Sequence, residues 1–253
     1  MNPVIVRNVR IGEGMPKICV PIVDTTQAEI VESGKRISAA GADIVEWRSD
    51  WYEDVFEFGK AVETAKELRS VLGDLPLLFT FRTSKEGGEK PIEKKDYVEL
   101  NQKVVKSGAI DLVDVEAFTG DDAVGAVIKT ARGCGVKVIV SNHDFCRTPR
   151  KEEIVSRLCK MRTLGADIPK IAVMPRSKKD VLTLLMATEE MTAEYTDCPI
   201  ITMSMAGTGA VSRLCGEVFG SAVTFGAVGR ESAPGQMAAK DLKTVLEIIH
   251  KSL

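Results

Sequence analysis

Lys170 stands alone among apolar neighbours, in the run Ile-Pro-Lys-Ile-Ala-Val at 168–173. Burying an unpaired ammonium is expensive. Two readings follow. The amine pairs with a carboxylate such as Asp114 or Glu116, or leans out of the bottom of the fold. Alternatively, burial and neighbouring cations favour the neutral amine, which attacks a ketone or aldehyde to form an imine. Arg48, Arg82 and Arg213 are the cations available for that. The chain has only two histidines. His143 ends an apolar run between Asn142 and Asp144, where an imidazole can take and return a proton near neutral pH. His250 falls in a C-terminal helical pattern and reads as a helix-end residue. Glu86 follows Arg82 by four positions in the charged run KEGGEK. It is either a solvated loop carboxylate or the group that orients the His143 ring, as a carboxylate orients a triad histidine.

Further polar residues gather near the ends of apolar runs. Glu46 and Arg48 share one face of an extended segment, because side chains alternate along a strand. Met203 and Met205 share one face of another, with Thr202 and Ser204 opposite. Arg213, near the start of a short helical pattern, suits a carboxylate or phosphate. The preceding Gly207-Thr208-Gly209 is a weak anion-nest signal. Ser232 and Gln236, in SAPGQ, belong either to a lid whose turn Pro and Gly set or to an ordinary loop. Glu46, Asp114, Glu116 and His143 could surround a cation, but the arginines and lysine nearby disfavour it, so no metal is expected.

The elements that must position these groups repeat. Strand-like runs at Lys17–Val23, Asp43–Arg48, Pro76–Arg82, Asp111–Ala117, Val136–His143, Asp167–Val173, Pro199–Met205 and Ala222–Val228 alternate with helical patterns. The helices are expected near Thr26–Ala40, Val55–Leu72 and Lys94–Ser107, from Asp121, Lys151 and Lys178, near Val211–Val218 and over Met237–Ser252. Eight such units predict an α/β fold, a closed (β/α)8 TIM barrel with its chemistry at the C-terminal strand ends. The mostly apolar strands suit a parallel sheet covered on both faces. An open doubly wound sheet is the competitor, weakened because no G-x-G-x-x-G follows the first strand. Asp24-Thr25-Thr26 and Thr119-Gly120-Asp121 offer helix caps. Gly41, Gly108, Gly135 and Gly165 each precede a strand, as helix-ending glycines do. Val4, Val6 and Val9 with Gly12 and Gly14 predict a short N-terminal β-hairpin closing the bottom of the barrel. No linker interrupts the pattern, so residues 1–253 read as one catalytic domain.

Composition narrows the classes. The 253 residues carry 34 basic against 36 acidic side chains, without the basic excess of a nucleic-acid binder. No run of 18 apolar residues suggests a membrane span, and the first ten residues lack a signal-peptide core, so a cytoplasmic protein is expected. Six cysteines occur without a CxxC pair, which predicts reduced thiols and no zinc site.

EWRSD (46–50), LLFTFRTSKEGGE (77–89), VSNHDF (140–145), GADIPKIAVMP (165–175), ITMSMAGTG (201–209), SRLCGEVFGSAVTFGA (212–227) and SAPGQ (232–236) together resemble the type I 3-dehydroquinate dehydratases. The resemblance runs the length of the chain. It implies a (β/α)8 barrel, a homodimer without metal or organic cofactor, and syn dehydration of 3-dehydroquinate to 3-dehydroshikimate in the shikimate pathway. On the same ground Lys170 forms the imine, and His143 removes the C2 proton and protonates the leaving hydroxyl, with Glu86 orienting it. Arg213, Ser232 and Gln236 bind the substrate carboxylate. Glu46 and Arg48 hold the ring hydroxyls, Arg82 supports that edge, and Met203 and Met205 touch the ring. Three positions depart from the pattern. Ser49 replaces a bulkier apolar residue, Ala117 a larger aliphatic one, and Glu231 a small neutral one. None is an implied catalytic residue. The alternatives are a Schiff-base class I aldolase acting on a phosphorylated substrate, and a catalytically silent barrel that binds a partner.

Overall fold

A computed structural model describes residues 2–229 and 235–253. Val4–Val6 (β1) and Val9–Ile11 (β2) pair antiparallel, with Val6 opposite Val9. The connecting turn therefore has two residues, and Arg7 takes φ 52°, the left-handed conformation that such turns require. Eight parallel strands follow: β3 (Lys17–Ile22), β4 (Ile44–Arg48), β5 (Leu77–Thr80), β6 (Leu112–Glu116), β7 (Lys137–Asp144), β8 (Ile168–Val173), β9 (Ile201–Ser204) and β10 (Val223–Ala227). Each pairs with the next through β9, and β10 pairs with β3. The ring closes through an isolated bridge between Ile200 and Ser221 and a 2.8 Å bond from the Ala222 amide to the Ile200 carbonyl.

Helices α1 (Gln27–Ala39), α2 (Phe58–Leu72), α3 (Lys94–Lys106), α4 (Asp121–Gly133), α5 (Lys151–Leu164) and α6 (Lys178–Glu190) each follow one strand. The predicted α1 cap is present: Thr26 and Glu29 form a reciprocal capping box. The predicted α4 cap is not. Gly120 occupies that position at φ 117°, with no capping side chain. The helix expected over 211–218 is two short ones, α7 (Ala210–Leu214) and α8 (Gly216–Phe219). They separate where the chain turns tightly toward β10, since a Cβ on Gly216 would lie 2.6 Å from the Ser221 carbonyl oxygen. The last helix, α9 (Ala239–His250), starts later than expected, because Met237–Ala238 (β11) first pairs with the end of β10. Gly41, Gly108, Gly135 and Gly165 all have positive φ, from 72° to 105°, which ends a helix and redirects the chain into a strand.

Strand alternation builds the core in two parts. Outward residues such as Trp47, Phe79, Val115 and Val140 pack beneath the helices. Inward, Cys19, Ile44, Leu78, Leu112, Ile139, Ile168, Ile201 and Val223 form an apolar floor, one from each barrel strand. Val6 and Ile11 of the hairpin join that cluster, so the hairpin closes the bottom. Moving up two residues along the strands, the inward positions turn polar. Glu46, Thr80, Asp114, Ser141 and Lys170 come next, then Arg48, Glu116 and His143. Among the described residues no helix is long and apolar enough to cross a membrane.

Candidate active site

The polar strand ends open on a cleft lined by Glu46, Arg48, Arg82, Glu86, His143, Lys170, Met203, Met205, Arg213 and Gln236, with Gly87, Phe145, Ala172 and Phe225. Ten of the eleven residues to which the resemblance gives a role thus meet at one cavity. Ser232 lies outside the described residues, as does Glu231.

Lys170, only 2% exposed, is held from two sides. Its Nζ donates to Asp114 Oδ2 at 3.2 Å and lies 4.6 Å from the centre of the Phe225 ring. Both sequence readings therefore contain part of the arrangement: the amine is paired with Asp114, and it faces the cleft. Asp114 Oδ1 accepts from Ser141 Oγ at 2.6 Å and from Arg82 at 2.8 Å. Arg82 also donates to Glu116 at 3.0 Å and lies 3.7 Å from Glu86. Burial alone would lower the Arg82 pKa, but Asp114, Glu116 and Glu86 outweigh it and hold the guanidinium charged. The cationic cluster expected around Lys170 is therefore interleaved with buried carboxylates.

His143 and Glu86 come together from strands β7 and β5 and their following loops. Glu86 ends a single 3-10 turn, Ser84–Glu86, and is 7% exposed, which corrects the solvated-loop reading. Its Oε2 accepts the His143 backbone N–H at 2.8 Å and lies 3.1 Å from His143 Nδ1. Its Oε1 accepts from Asn142 Nδ2 at 3.1 Å, and Asn142 Oδ1 in turn accepts from Arg157 at 2.8 Å. Burial pushes the Glu86 carboxyl up to about 7. Nearby Glu116 adds to this, while Arg82, Asn142 and the His143 amide oppose it. Burial, reinforced by Arg82, Lys170 and Arg48, pushes the His143 imidazole well below its usual range, so the ring is neutral near pH 7.

A family model described as type I 3-dehydroquinase matches residues 18–253. The chain belongs to this family. It is 55% identical over 248 residues to the 3-dehydroquinate dehydratase of Clostridioides difficile strain 630, covering 98% of this chain and 97% of the other. A crystal structure of type I 3-dehydroquinate dehydratase from Clostridium difficile, with covalently modified comenic acid, superposes with a TM-score of 0.96. That match has 55% identity and covers 99% and 98% of the two chains. The 3-dehydroquinate dehydratase of Geobacillus kaustophilus HTA426 gives a TM-score of 0.96 at 40% identity, covering 99% of each chain.

Within this type I 3-dehydroquinase framework, some placements differ from the sequence expectation. Arg213 is in the last turn of α7, not near the start of a helix, and its Nη1 lies 3.8 Å from Met203 Sδ. Gly209 is where a Cβ would collide with the Ser204 backbone, so close packing accounts for that glycine. Ser49 is fully buried, with Oγ donating to the Thr80 carbonyl at 3.1 Å, so the hydroxyl is satisfied. His250 is at the end of α9, with Nδ1 2.7 Å from Glu217 Oε1. Sequence reasoning assigned no part to Asp50, Asn142, Phe145 or Phe225. The one available signal was position: Asp50 follows Arg48 by two residues, Asn142 and Phe145 flank His143, and Phe225 is inward on β10.

Proposed function

We propose that the site dehydrates 3-dehydroquinate to 3-dehydroshikimate by syn elimination through an imine on Lys170. The observation that carries this reading is a buried amine and a neutral imidazole facing one cleft, with Arg213 on its wall. Arg213 pairs with the substrate carboxylate, with Gln236 and Ser232 adding neutral hydrogen bonds. Glu46 and Arg48 hold the ring hydroxyls, Arg82 braces that edge, and Met203 and Met205 cover the apolar face. Lys170 Nζ attacks the C3 ketone and the carbonyl oxygen leaves as water. The protonated imine is an electron sink, so His143 can remove the C2 proton and leave an enamine. The enamine electrons then expel the C1 hydroxyl, which takes from His143 the proton just removed. Hydrolysis releases the product and restores the amine. These steps use side chains alone. Residues 1–253 act in this reading as one catalytic unit.

The proton inventory sets the pH dependence. When Glu86 is ionised it accepts Nδ1–H, so His143 Nε2 is the ring's proton acceptor. When Glu86 is protonated it donates to Nδ1, Nε2 carries the hydrogen, and the ring cannot act as the base. The active form is deprotonated, so turnover rises with pH through about 7 and falls below it. The test is the pH–rate profile for 3-dehydroquinate, followed by ultraviolet absorbance of the conjugated enone product. Glu86→Gln loses the acid limb as well as activity. A parent profile flat between about pH 6 and 8 contradicts the assignment, and no enone at any pH contradicts the function.

We also propose that the chain works as a homodimer joined through α6, α7 and α8. Leu182 and Met186, one turn apart on α6, are 60% and 59% exposed. Val211 on α7 and Val218 on α8 are 50% and 52% exposed, and α8 packs on α6. An apolar surface of this kind is usually covered in an assembly. Sedimentation should give a dimer that Leu182→Lys with Met186→Lys dissociates; a monomeric parent refutes the assembly, and a dimer untouched by the pair refutes the face.

A further inference from the structure

Asp50 has no exposed surface, and all four of its acceptor positions are occupied. Oδ1 accepts from Arg48 Nε at 2.8 Å and from the Arg82 backbone N–H at 3.3 Å. Oδ2 accepts from Arg48 Nη2 at 2.8 Å and from the Glu89 backbone N–H at 3.1 Å. The Arg48 pair is thus a two-bond fork, the geometry in which a guanidinium is fixed in angle as well as position. The backbone bonds anchor the carboxylate to the segment just after β5 and to the loop carrying Glu86.

Arg48 needs such a holder. Glu46 lies two residues earlier on the same inward face and attracts it, while Arg82 repels it. Without Asp50 the guanidinium would turn down toward Glu46, away from the cleft mouth. We infer that Asp50 is a positioning residue for substrate binding: it aims the Arg48 guanidinium at the substrate ring, through a fork that no neutral or single-point partner reproduces. This inference rests on the substrate-binding role proposed above for Arg48.

The test is a double-mutant cycle on KM for 3-dehydroquinate, using Asp50→Asn, Arg48→Ala and the pair. An asparagine has one acceptor oxygen, so its amide meets donors on the other side and the fork is lost. Asp50→Asn should raise KM about tenfold or more, with a smaller change in kcat. In the Arg48→Ala background the same substitution should add less than about twofold. Multiplicative effects on KM overturn the inference, as does a parental KM in Asp50→Asn. A parental KM in Arg48→Ala overturns the substrate role of Arg48, and the inference with it. Arg48→Lys keeps the charge but not the fork, and keeps the test decisive if Asp50→Asn does not fold. It should match Arg48→Ala in KM; recovery of the parental value overturns the inference.

Discussion

Lys170→Met lowers kcat for 3-dehydroquinate by at least about 10⁴-fold, with KM changed far less. A thioether has the length of the lysine stem but cannot form an imine, so the electron sink disappears and the C2 proton loses its acidity. Methionine is the informative replacement because it fills the space beside Phe225 that alanine would leave empty. Asp114 loses its Lys170 contact but keeps Ser141 at 2.6 Å and Arg82 at 2.8 Å, so the buried carboxylate stays paired. Arg213, Arg48 and Gln236 are untouched, which is why binding survives the loss of chemistry. Steady-state kinetics with a thermal melt checks this. A properly folded Lys170→Met variant within tenfold of the parent kcat contradicts the covalent mechanism.

The second large effect concerns the proton carrier. His143→Ala lowers kcat by about 10²- to 10⁴-fold, the usual worth of a positioned acid–base group. The reaction still reaches the imine in this variant, because the amine and the ketone remain. It stalls before the C2 proton is lost, so the covalent adduct accumulates and can be seen in the intact-protein mass after rapid acid quenching. Glu86 then has Asn142 and Arg82 as neighbours but no ring to orient, so Glu86→Gln in this background should cost little more. An unchanged kcat in His143→Ala refutes the acid–base assignment.

The eight-strand pattern was legible because each barrel strand is buried on both faces and so reads as a nearly continuous apolar run. Period-two alternation also sorted the faces correctly: Glu46 with Arg48, and Met203 with Met205, point to the cleft, while Thr202 turns outward and shares a 2.7 Å hydrogen bond with Thr188 of α6. Loop contacts were harder, because they have no period. KEGGEK left Glu86 open between a solvated loop charge and a partner of His143; Gly88 lets the loop fold against the Arg82 backbone, where a Cβ would collide, and this delivers Glu86 to His143 across 57 positions. The partnership of Lys170 and Asp114, 56 positions apart, was one of two open readings until the register of β6, β7 and β8 placed them side by side. Met237–Ala238 looked helical because its strand character comes from pairing with β10, a tertiary effect.

The central claim is the covalent bond at Lys170, and borohydride tests it most directly. Reduction during turnover of 3-dehydroquinate converts an imine into a stable secondary amine, which peptide mass mapping locates. A substrate-derived mass on the peptide containing Lys170, absent from Lys170→Met, is the result expected. Continued dehydration with no adduct on Lys170 would contradict the account.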